Sequence, residues 1–467
     1  MPRKCSIHFL LNKITPMTRP LSLKTTLKIF LLVAAILLTG IASYAQDDVP
    51  DRSFTDTATV SKEELKQIES YKNETAGEFT PGRGFDAFKT KFASLNISGY
   101  LLARYINQLP AKQTFRDHLD REQVIDPRND IQVHRVFVWF TGFLGVQRFR
   151  YNLTVWGLPT TQQVLVFGNL TYAASNAFKF GVGIAPNLGA RSLQGMWPFF
   201  NGSDRQLTEE SMRPGFTGSI WMTGEMLPRL NYNISVGNNV SQLGVTGSQL
   251  TRDLTTSASL WWMPTTGEFG ERGGMLDFEN HKQPATRFGV SYTHARDDRF
   301  DPVSDSTSAN TQTKLSDGMN YYDRGALADG VTVQRSNYDE GSVDVGFKYK
   351  GFHFQMDYFF RYLSSIAADG PLPVESIFDH GGQATISQML VHKTLGAYLS
   401  SSYIFDQFRR NPWEVVAGLS YYPVQSRSWR INGQLIYVDR SSASSYFGYY
   451  LAGLKGPIIG ISTDILL

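Results

Sequence analysis

Leu230-Asn231-Tyr232-Asn233-Ile234-Ser235-Val236 carries an apolar residue at every even position and a polar one at every odd position. Successive side chains of a β-strand point to opposite faces, so this alternation gathers all four apolar groups on one side. Val343-Asp344-Val345-Gly346-Phe347-Lys348-Tyr349 repeats the pattern, and so does Phe352-His353-Phe354-Gln355-Met356-Asp357-Tyr358. Two faces of opposite character suit either a half-buried soluble sheet or a barrel with lipid outside and water inside.

Comparable segments begin near Asn96, Gln132, Phe149, Val164, Phe178, Phe216, Ser257, Thr286, Leu395, Trp413, Trp429 and Pro457. Many run about 10 residues, enough for a tilted strand to cross a bilayer, whereas soluble strands centre on about 5–6. Trp156, Trp261, Trp262, Trp413 and Trp429 lie near segment ends, where aromatic girdles are expected at the two membrane interfaces. Together these features favour an all-β, antiparallel transmembrane barrel of about 16 strands. Both faces of Gln132 to Gly145 carry large apolar residues, which leaves the register there open.

The joins also alternate. Gly145 to Arg148, Ser175 to Ala177, Leu227 to Arg229 and Lys350 to Gly351 are short. Pro110 to Asp130, Asn187 to Pro214, Asp297 to Asp339 and Ala367 to Met389 are long. Bacterial barrels have short periplasmic turns and longer external loops. Two joins break the rhythm: Pro264 to Ala285 is long on the side expected to be short, and Val424 to Ser428 is short on the long side.

The first 45 residues differ from the rest. Arg3, Lys4, Lys13, Arg19, Lys24 and Lys28 occur there without any Asp or Glu, ahead of an apolar run from Ile29 to Leu38 and Ser43-Tyr44-Ala45. A basic head, a short apolar run and a small-x-small exit form a secretory signal, with residues 1–45 removed after Ala45. The run falls short of the roughly 20 residues needed to span a bilayer. Met17, with Arg19, Lys24 and Lys28 behind it, is an alternative start. Residues 46–95 are expected to form a periplasmic segment with a short helix over Val60 to Tyr71, and residues 96–467 the barrel.

The whole chain carries 45 basic and 42 acidic residues. Without the six basic residues of the leader, 39 basic remain against 42 acidic, a net −3, so nucleic acid is not an implied partner. Cys5, the one cysteine, lies in the leader, which leaves a mature chain without disulfides. The 61 aromatic residues (31 Phe, 22 Tyr, 8 Trp) and 41 glycines suit strands and turns. Outside the leader no stretch approaches 18 consecutive apolar residues, which excludes a helical membrane protein.

Five stretches carry a family likeness: Phe79-Thr80-Pro81-Gly82-Arg83-Gly84-Phe85, Lys91-Phe92-Ala93-Ser94-Leu95-Asn96-Ile97-Ser98-Gly99-Tyr100, Arg213-Pro214-Gly215-Phe216-Thr217-Gly218, Ala285-Thr286-Arg287-Phe288-Gly289-Val290-Ser291-Tyr292-Thr293 and Leu435-Ile436-Tyr437-Val438-Asp439-Arg440. On these the chain resembles the porin O/P family, the phosphate-selective porins, in a Bacteroidetes-like form over residues 79–467. The resemblance implies a Gram-negative outer-membrane porin of about 16 strands, a homotrimer, an inward-folded loop in each pore, and basic residues attracting anions. The motifs mark scaffold and pin no pore residue. The chain ends in Leu467 where such barrels usually end in an aromatic, although Ile459, Ile461 and Ile465 still supply an alternating last strand.

If polar strand positions face the lumen, its cations are Arg104, Arg150, Lys179, Arg287, Lys348, Arg361 and Arg430, with Arg135 dependent on the open register. The acids on those faces are Glu225, Asp344, Asp357 and Glu414. The excess of cations suggests passive passage of small solutes with a mild anion preference. Pairing of these charges between neighbouring strands is the competing reading. The long join from Arg191 to Arg213 is the candidate constriction, with Arg191, Arg205 and Arg213 as anion contacts. It also holds Asp204, Glu209 and Glu210, and Trp197, Phe199 and Phe200.

Other signals are weaker. Asp297, Asp298, Asp301 and Asp305 read as an acidic surface loop before a calcium site. The Asn-x-Ser/Thr triplets at Asn152, Asn169 and Asn233 read as lumen positions, and the histidines show no metal-ligand spacing. No cofactor or metal is implied. A barrel hydrolase lacks its G-x-S-x-G nucleophile motif, so no enzyme activity is expected. A structural or adhesive barrel acting through Asp297 to Asp339 is the remaining alternative. The expected surroundings are outer-membrane lipid and small anions or other small solutes.

Overall fold

The computed structural model describes residues 83–159, 162–185, 200–215, 217–240, 253–269, 276–302, 305–442 and 451–467. The leader, the helix expected over Val60 to Tyr71, Arg191, Trp197 and Phe199 lie outside the described residues.

In chain order the strands are β1 (Phe85–Lys89), β2 (Ser94–Gln108), β3 (Gln113–Arg116), β4 (Glu122–Ile125), β5 (Asn129–Leu144), β6 (Val146–Leu158), β7 (Gln163–Ala173), β8 (Lys179–Ala185), β9 (Thr217–Leu227) and β10 (Leu230–Asn238). They continue as β11 (Leu254–Trp262), β12 (Ala285–Asp298), β13 (Val333–Tyr349), β14 (Phe352–Ala368), β15 (Ile377–Val391), β16 (Leu395–Phe405), β17 (Trp413–Tyr421), β18 (Trp429–Asp439) and β19 (Gly456–Leu466). One described helix, α1 (Leu207–Met212), falls between β8 and β9.

β2 pairs with β5, each following strand pairs antiparallel with the next, and β19 returns to β2 through Tyr100↔Leu466 to Gln108↔Ile458. The result is a closed 16-strand antiparallel barrel. Closure leaves no open edge, the condition for backbone to lie in hydrocarbon. β1 only lengthens the start of β2, and β3 and β4 form a separate hairpin.

The alternation behaves as a lipid-facing comb. Ile234 is 48% exposed and Val236 44%, whereas Asn233 and Ser235 are buried toward the interior. In β14, Phe352 and Met356 face outward and His353, Gln355, Asp357 and Arg361 inward. Outward rings form bands: Tyr403 against Phe405, Phe405 on His380, and Trp413 stacked on Tyr437 at 5.5 Å. This is an outer-membrane barrel with an aromatic band at the loop ends of β15 to β18, where one membrane interface lies. Trp156 and Trp261 depart from the expected girdle, because both point inward. Trp156 stacks on Phe137 at 5.0 Å in an interior cluster with Tyr100 and Trp139.

That cluster explains the ambiguous register of β5. The strand bulges at His134: Leu102 pairs with Arg135 and Ala103 with Val133, so His134 and Arg135 both turn inward. Beyond the bulge Phe137 and Trp139 are interior while Val136 and Val138 face out.

The join read from Ala367 to Met389 is corrected, because it contains β15. Gly381-Gly382 and the polar run around them hide a strand whose inner positions are Asp379, Gln383 and Thr385. One extra strand flips the side of everything after it. The short 422–428 join therefore falls on the turn side, where a short connection belongs. At Lys350-Gly351 both residues take positive φ (49° and 83°), the two-residue turn that matches strand twist. The 263–284 join remains long on the turn side, and its described residues Leu276 and Phe278 pack beside inward-facing Met389 and Tyr422.

Candidate functional site

The described part of the β8–β9 connection, from Phe200 through α1 to Arg213, crosses the barrel interior. Arg430 donates to the carbonyls of Phe200 (2.6 Å), Asn201 (3.1 Å) and Gly202 (3.2 Å), while its Nε pairs with Asp464 at 2.7 Å. Arg104 and Arg135 both reach Asp204, at 3.3 and 3.1 Å. Arg361 donates to the Ser211 carbonyl and to the Lys314 carbonyl, each at 2.8 Å, and pairs with Asp379 at 2.7 Å.

A helix of this length brings free N–H groups at its first turn, and Gln206 provides no side-chain cap. The barrel wall satisfies them instead. Leu207 N–H donates to Glu414 Oε1 at 2.6 Å and Glu209 N–H to Gln383 Oε1 at 3.2 Å. Leu207 and Met212 pack among inward-facing Phe359, Ile404 and Val416. The strap is thereby fixed on several strands.

The sequence-derived cations separate by partner. Arg104, Arg361 and Arg430 hold the strap. Arg287 pairs with Asp344 at 3.1 Å on the adjacent strand. Within the strap, Arg205 lies near Glu209 and Glu210, and Arg213 near Glu210, at 3.6–3.7 Å. Burial and the neighbouring Arg213 bring Arg205 down to about 10, still protonated at neutral pH. Arg150 is exposed and donates to the Gln147 carbonyl, and Lys179 is half-buried at the start of β8. Lys348 is fully buried, and its Nζ has no acceptor among the described residues.

The acids on the wall are more numerous than the sequence count. Asp344, Asp357 and Glu414 face inward, whereas Glu225 is exposed and accepts from the Arg229 N–H. Glu340, Asp379 and Asp464 join them. Asp464 lies in a clean alternating strand, Asp379 in the stretch from Ala367 to Met389 that reads as a join, and Glu340 between the end of the Asp297 to Asp339 join and the Val343 comb. Asn152, Asn169 and Asn233 occupy inner positions, with Asn152 opposite Asn169.

The outer mouth is narrowed by packed loops. Residues 299–332 bury Tyr321 and Tyr322 against Tyr338 and Leu363, and the β3–β4 hairpin region meets them through His118 and Asp317 at 2.7 Å. Asp301 is held by Arg299, and Asp297 by Asn310.

At the turn end, the 263–284 connection inserts Leu276 and Phe278 beside Met389 and Tyr422, and Leu276 N–H meets Asn201 Oδ1 at 3.3 Å. Segments from both ends therefore meet inside the bore. Asp277, Glu279 and His281 place donor atoms within 4.8 Å of one another. That proximity was not visible as ligand spacing. The three are already engaged: Asp277 with His281 and the Gly351 N–H, and Glu279 with Arg427 at 3.0 Å.

Burial opposes a charged His281, but the hydrogen bonds it donates to the carboxylates of Asp277 and Glu268 outweigh it and lift its pKa to about 9. The proton binds more tightly in the folded segment than in an unfolded chain. Its stabilisation is complete below about 6.5, the ordinary imidazole value, and is lost as pH rises through about 9. Amide hydrogen exchange at residues 276–284 is expected to speed up over that interval as this stretch loosens, beyond the intrinsic rise with pH, and His281→Gln should remove that excess. Equal pH dependence in the variant would clear His281 of the role.

No family model and no curated protein sequence matches the chain. Among solved structures it is similar to OmpT of Vibrio cholerae (12% identity, TM-score 0.49, covering 81% of this chain and 99% of that one). It is also similar to an anion-selective porin from Comamonas acidovorans (10%, 0.49, 80% and 100%) and to the outer-membrane channel DcaP of Acinetobacter baumannii (11%, 0.48, 82% and 100%).

Proposed function

We propose that this barrel is a porin: a passive diffusion channel for small hydrophilic solutes, with a mild preference for anions. The observation that carries the reading is a polar inner wall crossed by a strap that narrows the bore and is anchored to the wall by Arg104, Arg361 and Arg430. Pore width and lining charge are what a channel of this kind uses to select. Most inward arginines are neutralised by nearby carboxylates, which argues for a small preference over a steep one. The homotrimer implied by the sequence resemblance belongs to the same proposal, and mass measurement of the detergent-solubilised protein checks it.

Folded protein added to planar bilayers should give stepwise conductance, with a reversal potential displaced modestly toward the anion in a salt gradient. Folded barrels that insert without conducting would remove the channel reading. A cation-directed potential would leave the channel and remove the preference.

A further inference from the structure

Leu276, fully buried, and Phe278 sit at the turn end among inward-facing side chains of three strands: Met389 near the end of β15, Tyr422 just past β17 and Leu466 closing β19. The Phe278 ring meets Tyr422 edge-on at 4.9 Å. On β16 stands Gly396, where a Cβ would lie 2.7 Å from Leu276 Cδ1, so glycine leaves the space that the leucine fills. Leu276 and Phe278 therefore cover the inner wall from β15 to β19. The Leu276 N–H also reaches the strap, at Asn201 Oδ1.

The polar contacts of this stretch fall into a hinge and a latch. Arg229 of the β9–β10 turn donates to the Pro264 and Thr265 carbonyls, and Thr265 Oγ1 accepts from the Thr286 N–H at 2.9 Å. Both ends of the connection are thereby fixed at the rim. Between them, the Asn280 and His281 N–H groups turn back on Asp277, so residues 277–281 form one compact unit. Two turns hold that unit. In the β13–β14 turn, the Gly351 N–H donates to Asp277 at 2.7 Å and the Lys350 N–H to the His281 carbonyl at 2.8 Å. In the β17–β18 turn, Arg427 pairs with Glu279 at 3.0 Å and lies 5.1 Å over the Phe278 ring.

The strap is held differently. The side chains of Arg104 and Arg135 with Asp204, Arg361 with Asp379, and Arg430 with Asp464 are at most 8% exposed, whereas that of Glu279 is 27% exposed. Breaking a sealed pair strands a buried charge, but water that already reaches Glu279 takes over when Arg427 lets go. We propose that residues 276–281 are a gate at the turn end: latched, they obstruct the bore, and with the Arg427–Glu279 pair released they swing out about the ends held at Arg229 and Thr286. The proposal rests on the channel reading and adds to it a division of labour. The strap sets the current through an open channel, and the gate sets the fraction of time the channel is open.

Cys5→Ser combined with Met389→Cys places a single thiol beneath the gate, and a bulky water-soluble maleimide reads its uncovering without any need for conduction. Adding Glu279→Gln should speed that labelling about fivefold, the shift that an ion pair reached by water is worth. In planar bilayers Glu279→Gln channels should be open for a larger share of the time, with the single-channel current unchanged. Arg427→Met, which also loses the Phe278 contact, should move both readouts further in the same direction. Lys393→Gln, a charge change on the exposed β15–β16 turn, should leave both unaltered. A heat-dependent shift in gel migration checks that each variant is folded. Folded Glu279→Gln and Arg427→Met proteins with wild-type labelling and wild-type open time would overturn the gate. So would faster labelling in channels whose open time stays the same, because the stretch would then move without obstructing. Faster labelling in barrels that never conduct would keep the movable stretch and remove the channel reading instead.

Discussion

Replacing residues 201–212 with a short Gly/Ser linker is expected to raise single-channel conductance several-fold, because it removes the strap that crosses the bore. The same replacement should move selectivity further toward anions. It deletes Asp204, Glu209 and Glu210 but only one arginine, Arg205. It also releases the Arg104, Arg135 and Arg361 guanidiniums that those residues and the strap carbonyls now occupy. Planar-bilayer recordings read both effects at once. Unchanged conductance would mean that the narrowest point lies elsewhere, for which the loop at 299–332 and the turn-end segment are the remaining obstacles.

Arg430→Met is expected to be the most damaging single substitution in the wall. It removes the hydrogen bonds to Asp464 and to the Phe200, Asn201 and Gly202 carbonyls and leaves the Asp464 carboxylate in the interior without its Arg430 partner. Breaking a buried pair from one side costs about 3–5 kcal/mol, visible as a lower urea midpoint for the folded barrel. Arg430→Met combined with Asp464→Asn should recover part of that loss, since no unpaired charge remains. A double variant as unstable as the single one would assign the effect to the strap carbonyls rather than to the ion pair.

The barrel was legible because lipid outside and water inside impose opposite demands on successive residues. Leu230 to Val236 and Phe352 to Tyr358 state that demand without exception. Legibility failed where the interior is not watery. Phe137, Trp139 and Trp156 face a packed aromatic cluster, so alternation in β5 lost its contrast. In β15 the small pair Gly381-Gly382 and a polar run resembled a loop, although Asp379 there pairs with Arg361 of the neighbouring strand. The side of the strand that each arginine faces could be read from parity. The partner could not, because Asp204 lies 100 residues from Arg104 and the Phe200 carbonyl 230 from Arg430 in sequence. Tertiary folding of the strap decides that cations counted as pore lining also serve as its anchors.

The central physical claim is that one face of each strand meets lipid and the other the interior of the barrel. Cys5 is the chain's only cysteine, so with Cys5→Ser in the background single cysteines at positions 233–236 can carry nitroxide labels in reconstituted protein. Collision rates with lipid-dissolved oxygen should rise at 234 and 236 and fall at 233 and 235. Uniform rates along the segment, or shielding of 234 and 236 from the lipid phase, would contradict the barrel's orientation.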